Sequence, residues 1–190
     1  MILPIRAFGD PVLRKVAKDI DSNYPDLPQL IDNMFETMGD ANGIGLAAPQ
    51  IGLDIRLFIV DISPLAEDED YEDIAEELKD FRKVFINAKI LEESGQEWKF
   101  NEGCLSIPDV REDVKRKETI LIEYFDENFV KHTETYSDIR ARVIQHEYDH
   151  IEGVLFTDHL SALKKKLVKG KLSRISNGDV AVGYKMRFPK

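Results

Sequence analysis

The chain reads as an α+β fold in which small antiparallel sheets surround one core helix, and three features of the sequence predict it. Strand-like runs are grouped through the middle of the chain instead of alternating with helices, the order of an α+β arrangement. Two of those runs, residues 119–125 and 129–136, flank the polar triplet Asp126-Glu127-Asn128 and form a β-hairpin. Directly after it, Ser137 is a good N-cap for a helix running to about Glu152, with Gly153 as its left-handed stop.

The remaining elements follow from the same rules. Asp10-Pro11 opens a turn or short helix. Leu27, Leu30, Ile31, Met34, Phe35 and Met38 recur at steps of three and four, one face of a helix with Asp26 as N-cap and Gly39 as stop. Residues 42–52 form a loop rich in Gly, Ala and Pro, and residues 55–60 and 84–91 read as strands. Between those strands lies an acidic surface insert, residues 63–80, helical near 74–78. Leu160, Leu163, Leu167 and Val168 suggest a second helix, and residues 180–187 a last short strand. The whole, residues 1–190, is expected to be one catalytic domain.

Composition narrows the function. At 43% hydrophobic and 33% charged residues the chain has enough apolar side chains for a core. A net charge of −10 argues against a general or sequence-specific nucleic-acid binder. The charge is uneven: residues 164–190 are basic, either an arm for an anionic partner or a solvated helix face. The one cysteine rules out an internal disulfide and fits a reducing compartment. The apolar run at the N-terminus is too short for a leader, and no stretch nears the roughly 20 apolar residues of a membrane span. A cytoplasmic protein with no membrane partner is expected.

The chemistry is concentrated in His146-Glu147-Tyr148-Asp149-His150. On a helix, positions i and i+4 lie on one face, so both imidazoles can reach one ion while Glu147 meets a metal-bound water from the side. Ile139 and Val143 share the face of His146 and His150, so the histidines continue an apolar stripe and point inward. Ligation would satisfy them; hydrogen bonds in an ordinary core are the alternative. Asp149 either supports a ligand or bonds elsewhere.

A catalytic site usually has three protein ligands and an open position. Downstream candidates for the third are Glu152, Asp158 and His159; upstream lies Cys104, beside Gly103, which permits an unusual backbone turn. A buried inert thiol is the competing reading of Cys104. A thiolate would suit Fe(II), Zn(II), Co(II) or Ni(II). The loop Gly43-Ile44-Gly45-Leu46-Ala47-Ala48-Pro49-Gln50 lacks the spacing of a nucleotide-binding loop. Its small residues allow close backbone approach to a substrate, and Gln50 is a neutral donor for a developing oxyanion; a tight helix-to-strand link is the structural alternative.

Together these segments resemble the peptide deformylase family, whose motifs Gly-x-Gly-x-Ala-Ala-x-Gln, Glu-Gly-Cys-x-Ser and His-Glu-x-x-His occur here in order at residues 43–50, 102–106 and 146–150. Residues 9–14 also resemble the start of the family, so the likeness reaches to about Leu160. The resemblance implies the deformylase fold and removal of the formyl group from N-terminal formyl-methionine of nascent polypeptides. It implies a divalent ion on Cys104, His146 and His150, Fe(II) in the cell, with Zn(II), Ni(II) or Co(II) able to substitute. It makes Glu147 the general base and acid, and Gln50 and the Leu105 N–H the oxyanion donors. Around them, Ile44, Gly45, Gly103, Arg111 and Val143 are expected to contact substrate. Some members dock on the ribosome through a C-terminal helix, and the basic segment 164–190 permits that here.

Overall fold

The computed structural model describes residues 1–189. After a two-residue strand β1 (Ile5–Arg6) and a 3₁₀ turn started by Asp10 and Pro11, the first helix, α1 (Leu27–Asp40), buries Leu27, Ile31, Met34, Phe35 and Met38. This is the face expected from their spacing. The ends differ from expectation. Asp26 precedes the helix in left-handed backbone and its side chain caps nothing, while Gly39 lies inside the last turn. Asn42, at φ 53°, takes the left-handed position, and Gly43 N–H then closes on Met38 O. Asn tolerates that conformation, so no glycine is needed there.

The loop expected at 42–52 contains β2 (Gly45–Ala47) and a 3₁₀ turn over Ala48–Ile51. It leads to the buried strand β3 (Leu57–Asp61). The acidic insert folds as two 3₁₀ segments and the single turn α2 (Ala75–Leu78), anchored by the fully buried Leu78.

The main extension beyond the expected elements is a long hairpin. Strand β4 runs over Arg82–Cys104 and β5 over Ile107–Phe125, where only residues 84–91 and 119–125 read as strands. The middle of the hairpin, residues 92–118, is crowded with charged residues, most of which face solvent while Glu102 and Arg116 are buried, and this hides the alternating pattern. Four register shifts bend it, so its base joins the sheet and its tip folds over the site. With β6 (Lys131–Ser137) the sheet has five antiparallel strands in the order β2-β3-β4-β5-β6.

The helix α3 (Asp138–Ile151) packs on this sheet, with Ile139, Val143, Ile144 and Ile151 in the cluster formed by Phe58, Phe85, Ile120 and Ile122. Phe58 and Phe85 stack with centroids 4.7 Å apart. Helix α4 (Ala162–Ser176) is longer than its apolar residues suggested, and β7 is only Met186–Arg187, paired in parallel with β1. No helix among the described residues is long and apolar enough to cross a membrane.

Gly153 ends α3 as expected, at φ 72°, and a Cβ on it would meet the Arg14 carbonyl group at 2.8 Å. Gly153→Ala is therefore expected to lower stability by about 1–3 kcal/mol, read from chemical denaturation. A midpoint equal to that of the parent would contradict the close approach.

Candidate metal centre and cleft

Three elements converge on one point. Helix α3 supplies His146 and His150, one turn apart; the tip of β4 supplies Cys104; the 3₁₀ turn after β2 supplies Gln50. The ligand atoms of Cys104, His146 and His150 lie within 4.8 Å of one another, with Cys104 Sγ 3.3 Å from His150 Nε2. Of the candidates for a third ligand, only the upstream one is here. Glu152 pairs with Arg56, Asp158 with Arg14, and His159 with Asp149.

The orientation of His146 is set by Glu102, whose side chain is 4% exposed. One Glu102 oxygen accepts from Arg116 Nε at 2.7 Å and Arg142 Nη1 at 2.9 Å; the other accepts from Arg116 Nη2 at 3.0 Å and lies 2.9 Å from His146 Nδ1. Burial pushes the Glu102 carboxyl upward in pKa, but the hydrogen bonds of His146 and Arg116 outweigh that and hold it well below the carboxylate range. An ionised carboxylate can only accept, so His146 Nδ1 donates to it. Burial pushes the His146 pKa down, but the hydrogen bonds of Cys104 and Glu102 outweigh that and hold it well above the ordinary imidazole value, so an ion takes Nε2 in exchange for its proton. Burial and the neighbouring His146 push the His150 pKa down to about 3, which keeps that imidazole neutral, the form that ligates.

Glu147 is 4% exposed and its Oε2 has no hydrogen-bond partner. Burial is the first cause that raises its pKa, to about 7. Its carboxyl group lies against Gly45, where a Cβ would meet Oε1 at 2.4 Å. Gly45 thus makes room for Glu147 as well as lining the cleft. Gln50 is buried, with Oε1 fixed by the Ala47 N–H at 2.8 Å. Its Nε2 is thereby turned toward Ser106 Oγ at 3.3 Å and Cys104 Sγ at 3.5 Å.

These groups open onto a cleft of about 560 Å³ lined by Ile44, Gly45, Gly103, Leu105, Arg111 and Val143, together with Glu147 and His146. All the residues expected at the site therefore line the cleft or, like His150, stand behind it. Arg111 is exposed and holds Asn101 across the hairpin through Oδ1 at 2.9 Å and the carbonyl at 2.7 Å. Asp149 does not touch a metal-site imidazole; it accepts from Arg116 at 2.8 Å and His159 at 2.7 Å.

Sequence reasoning missed Arg116 and Arg142, and it noted Glu102 only as part of a motif. Arg142 sits one turn before His146, and its spacing put it on the buried face, so a charge there was the signal of an internal partner. It also missed the tail at residues 181–184, which lines the cleft.

The donor set fits a divalent ion: one thiolate and two imidazoles suit the later first-row metals, and an orphaned carboxylate oxygen stands beside them. Replacing Glu102 by Leu leaves two buried guanidinium groups short of their shared acceptor and frees His146 Nδ1. The variant should lose about 3–5 kcal/mol of stability and hold metal less tightly, by denaturation and by metal analysis after dialysis. Parental stability with full metal content would dismiss the network.

Comparison with known proteins agrees with this geometry. Residues 2–166 match the family described as Polypeptide deformylase. A peptide deformylase of Christiangramia forsetii is 64% identical over 190 residues, all of this chain and 97% of the relative. That of Flavobacterium johnsoniae is 59% identical over 189 residues, 99% of this chain and 96% of the relative. The crystal structure of a Legionella pneumophila peptide deformylase superposes with a TM-score of 0.79 at 36% identity, covering 94% of this chain and 98% of that one.

Proposed function

The chain belongs to the peptide deformylase family, a metal-dependent family, and from that premise we propose how its residues remove the formyl group from N-terminal formyl-methionine of nascent polypeptides. The observation that carries the assignment is the unpartnered, buried Glu147 oxygen beside the Cys104, His146 and His150 donors at the floor of the cleft. Residues 1–190 act in this reading as one catalytic domain, with the acidic insert at 63–80 as a surface elaboration.

Cys104, His146 and His150 would hold one divalent ion, in this reading Fe(II) in the cell, with Zn(II), Ni(II) or Co(II) able to replace it. When bound, the ion supplies Lewis acidity that makes a water a nucleophile near neutral pH. Glu147, with its unpartnered Oε2 at the floor of the cleft, would take the proton of the water that attacks the formyl carbon. A carboxyl group with a pKa near 7 can accept that proton and return it to the departing amine. Formate and a free N-terminus result. The oxyanion that develops is met by Gln50 Nε2, held in place through Ala47, and by the Leu105 N–H.

Gly45 and Gly103 keep the formyl end of the cleft narrow in backbone, and Ile44 and Val143 give an apolar wall for the methionine side chain. Arg111, at the rim of the cleft, faces the peptide that follows.

The test is formate release from formyl-Met-Ala-Ser by protein purified without air and loaded with Fe(II) or Ni(II). Glu147→Ala should keep its metal and lose turnover by about 10²–10⁴-fold. Normal turnover in that variant would remove Glu147 from the mechanism.

We also propose that the basic segment 164–190 contacts the ribosome. On α4, Leu163 and Leu167 are 68% and 69% exposed, one helical turn apart among Lys164, Lys165, Lys166, Lys169 and Lys171. Cosedimentation with ribosomes should fall with salt and vanish in Lys165→Glu/Lys166→Glu/Lys169→Glu, while deformylation of a short peptide continues. Absence of cosedimentation in the parent at low salt would end the proposal.

A further inference from the structure

The C-terminal tail reaches the cleft from outside the segment that matches the family, which ends at residue 166. Helix α4 stops at Ser176, and Gly178 at φ 75° turns the chain back. The tail then runs toward β1, where Ile5 N–H bonds Lys185 O and Ala7 N–H bonds Arg187 O, both at 2.9 Å. Between the Gly178 turn and this pairing, residues 181–184 form one wall of the cleft.

Tyr184 is the contact that ties this wall to the site. Its hydroxyl donates to Leu105 O at 2.7 Å, and its ring packs in the same apolar cluster as Leu105. Leu105 and Ser106 are the two residues of the tight turn between β4 and β5. The turn is held on its other side by Phe8 N–H on Ser106 O at 2.8 Å. The Leu105 side chain lies against Gly43, where a Cβ would meet its Cδ1 at 2.8 Å. Tyr184 fixes the plane of the Leu105–Ser106 peptide through its carbonyl. With Cys104 paired to Ile107 across the turn and the Leu105 side chain seated against Gly43, the Cys104–Leu105 peptide that carries the N–H is held from both ends.

We propose that Tyr184 is a positioning residue for the deformylation reaction: through Leu105 O it holds the Leu105 N–H in line with the developing oxyanion, and it makes the C-terminal tail part of the working site. The proposal rests on the reading of Leu105 as an oxyanion donor. A donor that must be aimed at a charge present only in the transition state affects kcat more than substrate binding. Tyr184 therefore acts without touching the reacting atoms.

The test uses the full chain, loaded with Ni(II), as wild type and Tyr184→Phe, which keeps the ring and removes the hydroxyl. Turnover of formyl-Met-Ala-Ser should show kcat reduced by about five- to tenfold, the equivalent of one lost hydrogen bond, with KM little changed. Metal content should stay at the wild-type value, the melting temperature should fall by no more than about 2–4 °C, and amide exchange at residues 104–106 should quicken. Unchanged kcat, or a loss that tracks a lower folded fraction, would overturn the proposal. If the metal-loaded wild type released no formate, the deformylase reading itself would fall and this proposal with it. Wild-type turnover combined with unchanged exchange at 104–106 would reject the Tyr184 contact alone.

Discussion

The site depends on a single buried carboxylate. Glu102 accepts from two guanidinium groups and from His146, and these partners come from β5 and α3 while Glu102 itself lies on β4. One side chain thus fastens the hairpin to the helix and orients a metal-site imidazole. The carboxylate is tolerated in the interior because it is fully paired, and within the cluster Arg142 Nε is left without a partner. A buried charge with a missing partner costs several kcal/mol, and here each Glu102 oxygen has two partners. Asp149, on the same helix, pairs with Arg116 from the other side and keeps that charge balanced. Arg142 extends the network by bonding Val114 O and Trp98 O and lying over the Trp98 ring, 4.4 Å from its centroid. The long hairpin is therefore clamped to α3 along its length by polar contacts, where its outward residues offer little apolar area.

This clamp explains why the site combines rigid and unsatisfied groups. The ligands and Gln50 each have a fixed partner on at least one atom: His146 on Glu102, His150 against Cys104, Gln50 on Ala47. Glu147 Oε2 and His150 Nδ1 have none. Leaving a buried carboxyl oxygen unpaired opposes stability, and the apolar core packed around α3 offsets it. Burial of that carboxyl group also moves its pKa toward neutrality, so the feature that weakens the fold is the one that suits proton transfer.

How much of this could be read in the sequence follows from where each signal resides. The helical stripe of α1, the hairpin at 119–136 and the helix beginning near 138 were legible from local periodicity and turn residues. Ser137 nevertheless does not cap that helix: its hydroxyl bonds Thr119, and the Asp138 carboxylate accepts from Arg140 N–H at 3.0 Å. The pair His146 and His150 was legible for the same reason, since helical geometry alone places them together. Cys104 could be singled out as the only thiol, but its position beside them is fixed by the register of β4 and β5, which no local pattern encodes. The far half of that hairpin was invisible because its residues are charged on both faces. Asp149 was undecidable because its partners, Arg116 and His159, lie 33 and 10 residues away. The tail was read as a short strand, but its passage along the cleft depends on parallel pairing with the opposite end of the chain.

The parts that local sequence does not encode share one property: they are closures between distant segments. Glu102 with Arg142, Cys104 with His150, and Tyr184 with Leu105 each span 40 or more residues. The chemistry needs such closures, because a metal centre built on one helix leaves the opposite side of the substrate open to water. The tip of the hairpin closes one side and the returning tail closes another, so the oxyanion donor proposed at Leu105 sits at their meeting point. A reacting carbonyl held there is surrounded by groups whose positions were set at folding. Electrostatic stabilisation is strongest in that situation, since no reorientation has to accompany the developing charge.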